Sequence, residues 1–254
     1  VVGKYEFDEA LFEACASGRT SIVQALLSSS HCENAVEASR FSVAFRAACV
    51  HGHIGVVKAF LASTVQVMPG PLVSDGLNCA CTHGHLRVVQ FFLDPSAQCT
   101  ERLAGHCQQA LHRAACAPAN RVHILQALLE SSGALRIDVG KTGCEALKSA
   151  CSAGHVDAIE FLLSLPPTLG IDPTARMEKC LGGACAGEHR EAIEMLLSLP
   201  PPRRSTGQYL QWSSISAGTK LFLLQCGLAP SHLIRSLLLH CLTDMYGTAT
   251  HEPL

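Results

Sequence analysis

The feature that most restricts the fold of this chain is a short phrase that recurs at a nearly constant spacing. In each copy a small residue and a cysteine, or two alanines, precede a turn, and three of the six turns contain Gly-His. The copies lie 34, 32, 34, 36 and 34 residues apart, with anchors at Cys15, Cys49, Cys81, Ala115, Cys151 and Cys185. Such a period is typical of chains that stack one supersecondary unit many times. The sequence therefore predicts a linear array rather than a single globular core.

The residues around each anchor share one apolar register. A large apolar residue stands four positions before the anchor. In most copies two apolar pairs follow, the first seven positions after it, as in Ile22-Val23 and then Leu26-Leu27. Apolar residues three to four positions apart form one stripe on an amphipathic helix. Each copy is therefore predicted to form two short helices, with Leu162 and Leu196 in the core.

A glycine separates the two helices in most copies, and it is predicted to end the first helix in the left-handed conformation. These glycines are Gly18, Gly52, Gly84 and Gly154. The copy at Ala115 has two extra residues in its turn. The connections from Leu129 to Leu147 and from Leu163 to Leu181 contain Gly and, in the second, Pro. Both are predicted to be loops rather than a third helix.

The pattern Leu-x-x-Ala-Cys-x-x-Gly-His-x-x-(Val/Ile)-(Val/Ile)-x-x-Leu-Leu resembles the ankyrin repeat. The resemblance implies an all-α solenoid of helix–turn–helix repeats, with six repeats over residues 1–200. It also implies a degenerate seventh repeat and a C-terminal capping helix over residues 201–254. The family's opening Thr-Pro-Leu-His is nowhere intact, and the nearest match is Gln109-Ala110-Leu111-His112. We therefore expect the first helices to begin further upstream.

The C-terminal segment keeps only part of the register. Residues 213–218 resemble the turn, but the apolar run at Leu221 arrives about three residues early. After Ser231, apolar residues at helical spacing from Leu233 to Met245 predict one more amphipathic helix. A terminal unit that covers the open core is the expected role. The alternative is a docking segment for a partner such as a ubiquitin-ligase subunit.

Two groups of residues could suggest chemistry. Cys79, Cys81, His83 and His85 are all possible zinc ligands, but two of them are the anchor and turn residues of the repeat. We therefore predict two core thiols and two turn histidines.

The histidines that follow the turns are His53, His85, His155 and His189, and they are predicted to make turn hydrogen bonds because catalytic residues do not recur with a scaffold. Some other cysteines, namely Cys32, Cys99, Cys107 and Cys144, are expected near loops, where they could oxidise. No catalytic, cofactor-binding or metal-ligating residue is predicted, and no cofactor.

Composition limits the partners and the compartment. Nineteen basic and 21 acidic residues give a formal charge of -2, which does not favour nucleic-acid binding. No apolar stretch approaches the length of a membrane span. The charged residues near the start, Lys4, Glu6, Asp8 and Glu9, leave no room for a secretion signal, so the 14 cysteines are expected to be reduced thiols in the cytoplasm or another intracellular compartment.

The register also predicts which residues face a partner. Positions two, five and six after the opening apolar residue of the first helix should be exposed, Ala47 and Cys79 among them. The partner-binding candidates are Glu13, Arg46, His51, His83, Arg113 and Lys148.

The resemblance implies a monomeric, non-catalytic scaffold that binds a protein through its concave face and loops. The alternative is a targeting module of a larger multidomain enzyme or a ubiquitin-ligase adaptor, with the chemistry outside this chain.

Overall fold

Each copy of the recurring phrase lies on a pair of helices joined by a tight turn. The computed structural model describes residues 4–29, 38–64, 70–97, 99–166, 169, 177–199 and 215–227. Their helices, in chain order, are α1 (Lys4–Ala16), α2 (Thr20–Leu27), α3 (Ala38–Val50), α4 (Ile54–Thr64), α5 (Gly70–Thr82), α6 (Leu86–Leu93), α7 (Thr100–Leu103), α8 (Ala110–Ala115), α9 (Arg121–Glu130), α10 (Ser132–Leu135), α11 (Val139–Ala153), α12 (Val156–Ser164), α13 (Met177–Ala186), α14 (Arg190–Ser198) and α15 (Ala217–Gln225). The described part contains no strand, so the all-α prediction is confirmed.

Twelve of the fifteen described helices fall into two alternating classes that match the two halves of the sequence register. The first helices, which carry the anchors, are α1, α3, α5, α8, α11 and α13. The second helices, which carry the apolar pairs, are α2, α4, α6, α9, α12 and α14. Helix α5 begins seven residues before Leu77, so this first helix does start upstream of the position where the family's tetrapeptide would stand. None of the described helices is long and apolar enough to cross a membrane.

The turns adopt the backbone conformation that the glycines predict. The φ angles of Gly18, Gly52, Gly84 and Gly154 lie between 70° and 76°. In the copies that lack this glycine, Asn120 (φ 54°) and Glu188 (φ 58°) adopt the left-handed conformation instead. Asparagine tolerates this conformation better than most residues, whereas glutamate adopts it at a cost. The stacking of neighbouring repeats therefore requires this turn even where the sequence disfavours it.

The connection from Leu129 to Leu147 corrects one prediction. It contains the short helix α10 rather than loop alone. The side chain of Leu135 is fully buried, and its carbonyl accepts a hydrogen bond from the Gly105 amide at 3.0 Å. This long-range anchoring bends the chain into one helical turn. In the connection from Leu163 to Leu181, most of residues 167–176 lie outside the described residues.

The structure divides into two units, of which the first comprises residues 1–150 and 157–172. Within it, α1, α3, α5 and α8 pack side by side in that order, and so do α2, α4, α6 and α9. Three buried aromatic rings join neighbouring repeats, with Phe45 centred 5.7 Å from Phe60 and 6.3 Å from Phe92. Leu162 is also buried, as predicted. Consecutive hairpins in this unit thus share one continuous apolar layer.

The second unit comprises residues 151–156 and 173–254. Here α13 packs against α14, and Leu196 is fully buried as predicted. Helix α15 contains Gly218, which the sequence placed in a turn. The prediction is wrong because the helix begins earlier: the Ser216 hydroxyl accepts a hydrogen bond from the Thr219 amide at 3.3 Å, as an N-cap does. The predicted capping helix after Ser231 lies outside the described residues.

Candidate partner-binding face

The candidate residues occupy three repeated positions on the first helices of the first unit and on the turns that follow them. We call the exposed surface formed by six of them the first-helix face; its residues are Glu13, Arg46, His51, His83, Arg113 and Lys148, and all six are exposed. They come from α1, α3, α5, α8 and α11 or from the turns directly after them. Arg46 and Lys148 stand three residues before their anchors, Glu13 and Arg113 stand two before, and His51 and His83 stand two after. Whether they contact a partner stays a prediction.

Histidines occur in pairs at the turns after α3 and α5. The rings of His51 and His53 are stacked with centroids 6.0 Å apart, and those of His83 and His85 with centroids 6.2 Å apart. The outer member of each pair is exposed. His83 Nδ1–H donates to the Cys79 carbonyl of its own helix at 2.9 Å, which leaves Nε2 as the acceptor of the neutral ring. An outer histidine can therefore accept a hydrogen bond from a partner.

The inner histidines connect neighbouring repeats. The Nε2–H of His53 donates to the Ala16 carbonyl at 2.9 Å, and that of His85 donates to the Val50 carbonyl at 2.6 Å. In the second unit, His189 does the same to the Ser152 carbonyl at 3.0 Å. The sequence predicted hydrogen bonds at the turns, and the bonds reach the preceding repeat. The role of His155 stays a prediction.

These histidines also explain the adjacent glycines. A Cβ atom added to Gly18 would lie 2.6 Å from Nδ1 of His53, and one added to Gly52 would lie 2.6 Å from Nδ1 of His85. Each imidazole therefore fits directly over the backbone of the preceding turn. We call this arrangement the glycine–histidine joint. It holds the first-helix face in register, because it fixes each turn relative to the next.

In the copy at Ala115, different side chains connect the turn to the neighbouring repeats. The side-chain amide of Asn120 donates to the Gly84 carbonyl at 3.0 Å. On the following side, Nη1 of Arg121 donates to both carboxylate oxygens of Asp157 at 2.9 Å. The first helices on either side are linked as well, since His112 Nδ1 and Ser149 Oγ are 2.6 Å apart. These contacts therefore join the copy at Ala115 to the copies on both sides.

The cysteines support the stack from inside. Burial raises the pKa of Cys15 to about 12 and that of Cys107 to about 11, and it raises the pKa of Cys81 further still. Such thiols stay protonated at neutral pH, so they are weak nucleophiles and weak metal ligands. No cluster of three or more His, Cys, Asp or Glu suited to a metal occurs among the described residues.

Expectations about five side chains need correction. Cys79 is only partly buried, so the prediction of two core thiols holds for Cys81 alone. Cys99 and Cys107 do lie in the connections on either side of α7, as predicted, whereas Cys144 lies within α11. All three are buried, so the expectation that they could oxidise is wrong. Ala47, predicted to be exposed, is only 9% exposed because α3 packs between α1 and α5. Cys32 lies outside the described residues.

The sequence reasoning missed two exposed residues. Phe12 on α1 is 38% exposed, and it stands where later copies have Arg46, Asn78, His112 and Lys148. An aromatic residue at an otherwise polar position was the available signal. Cys116, directly after α8, is an exposed thiol. A weaker sequence signal was available for Cys116, because the other copies have alanine, valine, threonine or serine at this position.

Comparison with known proteins gives one result. A family model described as ankyrin repeats, in three copies, matches residues 77–177. Those residues run from α5 to the start of α13 and include three of the six predicted copies. No curated protein and no solved structure matches the chain.

Proposed function

We propose that this chain, in which residues 77–177 match the ankyrin repeat model, is a non-catalytic scaffold that binds a protein partner, because ankyrin repeats are generally protein–protein interaction modules. The single observation that carries the proposal is the first-helix face. Hydrogen-bonding and charged side chains from five stacked helices are exposed along it. A partner lying across the helices would meet all of them in sequence.

The chemistry of this face favours recognition by individual contacts. It carries Glu13 near one end, Arg46 further along, and Arg113 and Lys148 towards the other end. Charges of both signs on one surface do not create a strong uniform field, so specificity comes from shape and from a few hydrogen bonds and ion pairs. We propose that the partner places acidic groups or backbone carbonyls at Arg46, Arg113 and Lys148.

The connections are proposed as a second contribution to binding. The side chain of Gln108 donates to the Arg136 carbonyl at 2.8 Å and accepts from the Asp138 amide at 3.2 Å. These bonds hold two successive connections together. Arg136 and Lys141 are exposed beside them. A connection that is already fixed by hydrogen bonds loses less conformational entropy on binding than a loose loop does.

We further propose that the chain works as an intracellular monomer. The described cysteines are all free, and most are buried thiols within the core. Stable reduced thiols in such number are typical of proteins in a reducing compartment. Sedimentation velocity in reducing buffer should give a single species near the chain mass of 27.0 kDa.

Affinity capture with quantitative mass spectrometry tests the scaffold. The Arg46→Ala/Arg113→Ala variant should lose the captured partner, whereas the matched variant Lys58→Ala/Arg87→Ala, with two exposed basic residues on second helices, should keep it. Equal capture by both variants would overturn the assignment of the face. A loss caused only by Arg136→Ala/Lys141→Ala would move the binding site to the connections.

A further inference from the structure

Helix α2 exposes two positions that are buried in the other second helices of the first unit. The first is Ile22, which is 42% exposed. The equivalent residues of the next three hairpins, Val56, Val88 and Ile124, are at most 1% exposed. The second is Leu26, which is partly exposed. Its equivalents, Phe60, Phe92 and Leu128, are fully buried.

The helix neighbours show which side of α2 is exposed. Helices α2, α4 and α6 each have a following neighbour, namely α4, α6 and α9. Within the described part of the chain, α4 and α6 also have a preceding second helix packed against them, and α2 does not. Ile22 and Leu26 therefore occupy the positions that face the preceding repeat elsewhere in the stack. They form half of the inter-repeat interface, exposed at the N-terminal end of the first unit.

The surface chemistry of α2 agrees with this assignment. Its sequence, TSIVQALL, contains no charged residue, whereas α4, α6 and α9 carry Lys58, Arg87 and Glu130 as exposed charges. A terminal repeat that faces water normally has a polar outer surface. The buried centre of a protein interface is depleted of charge and rich in apolar residues. With no charge and with Ile22 exposed, this side of α2 resembles the buried centre of an interface.

We propose that this end of the stack, centred on Ile22 and Leu26, binds a helical hairpin that continues the array. The partner's second helix would present aliphatic residues four positions apart, as Val57 and Leu61 do in α4. The continuity of the inter-repeat interface selects such a hairpin as the occupant. This surface is separate from the first-helix face, so the inference goes beyond the proposed function.

A hairpin of this chain can serve as the probe. Residues 38–69 are duplicated and joined directly to Lys4 of the chain. Lys4 precedes its anchor Cys15 by eleven residues, and Gly70 precedes Cys81 by the same number, so the fusion keeps the native spacing. The added hairpin should slow amide hydrogen exchange over Thr20–Leu27 and raise the midpoint of thermal unfolding.

Variants of the fusion keep the proposal falsifiable. Ile22→Gln/Leu26→Gln should abolish the slower exchange, whereas Val43→Gln, at a residue that is 51% exposed on α3, should leave it unchanged. Unaltered exchange over α2 in the fusion would overturn the proposal. A dimer of the natural chain that Ile22→Gln dissociates would also overturn it, because the occupant would then be a second copy.

Discussion

At the scale of single residues, the glycine–histidine joint combines a hydrogen bond between repeats with close packing of an imidazole on a glycine. We predict that His85→Ala destabilises the chain by about 1–3 kcal/mol, since the Val50 carbonyl loses its donor in a partly buried site. Urea unfolding followed by circular dichroism measures the change. His83→Ala is the matched control, because it removes the neighbouring exposed ring, whose hydrogen bond is to the Cys79 carbonyl of its own helix. It should change stability by less than about 0.5 kcal/mol, and equal losses would contradict the joint.

The glycine side of the joint gives a second prediction. Gly52→Ala should cost more than about 1 kcal/mol, because alanine is strained at positive φ and its Cβ would meet the His85 ring. Gly133→Ala should instead be neutral or stabilise the chain by up to about 1 kcal/mol, since a Cβ there has nothing within 4 Å. Thermal unfolding of both variants measures the contrast. A similar effect of the two substitutions would refute the explanation.

The sequence could predict the residues of the first-helix face because exposure follows from register. Glu13 and Arg113 stand two residues before their anchors, and both are exposed. It could not predict that Ala47, at the same offset, is buried. Burial of a small residue depends on how closely α1 and α5 pack around α3. Likewise, the spacing of His53 and His85 showed that they repeat, but only the stacked structure shows which carbonyls they reach.

At the scale of secondary-structure elements, the second helices provide much of the buried apolar surface of the hairpins. We predict that Leu162→Ala in α12 destabilises the first unit by about 2–5 kcal/mol, because it leaves a cavity in a packed layer. Leu162 is 2% exposed, whereas the control residue Leu221 in α15 is 58% exposed. Leu221→Ala should have a small effect in the same urea titration. A cost below about 1 kcal/mol for Leu162→Ala would place this residue outside the core.

The elements that the sequence predicted are those whose cause is local. The helix pairs follow from apolar spacing, and the turns follow from glycine. The short helix α10 could not be predicted, since Ser131, Ser132 and Gly133 favour a loop. It forms because Leu135 is buried and bonded to Gly105, and this contact spans 30 residues of sequence. Local composition carries no information about such a contact.

At the scale of the whole molecule, buried thiols link stability to alkaline pH. The pKa of an ordinary cysteine is 9.0, and burial raises it to about 12 for Cys15 and to about 11 for Cys185. Above pH 9 the unfolded chain releases these protons while the folded chain retains them. The stabilisation is therefore complete below pH 9 and is lost as pH rises towards 12. The free energy of unfolding in reducing buffer should fall over this range, and a constant value up to pH 11 would contradict the burial of the thiols.

The glycine–histidine joint has a consequence for how an array of this kind changes length. The glycine belongs to one period and its histidine to the next, so a gene that gains or loses a whole period between two regular copies restores a matched joint automatically. The copy at Ala115 is the exception at both of its boundaries, because a Cβ added to Gly84 would meet the Ala119 backbone instead of a histidine, and Asn120 stands where most other copies have glycine. Recombination at either boundary would bring together groups that do not fit. Growth and shortening of the array are therefore easier among the regular copies than through this copy.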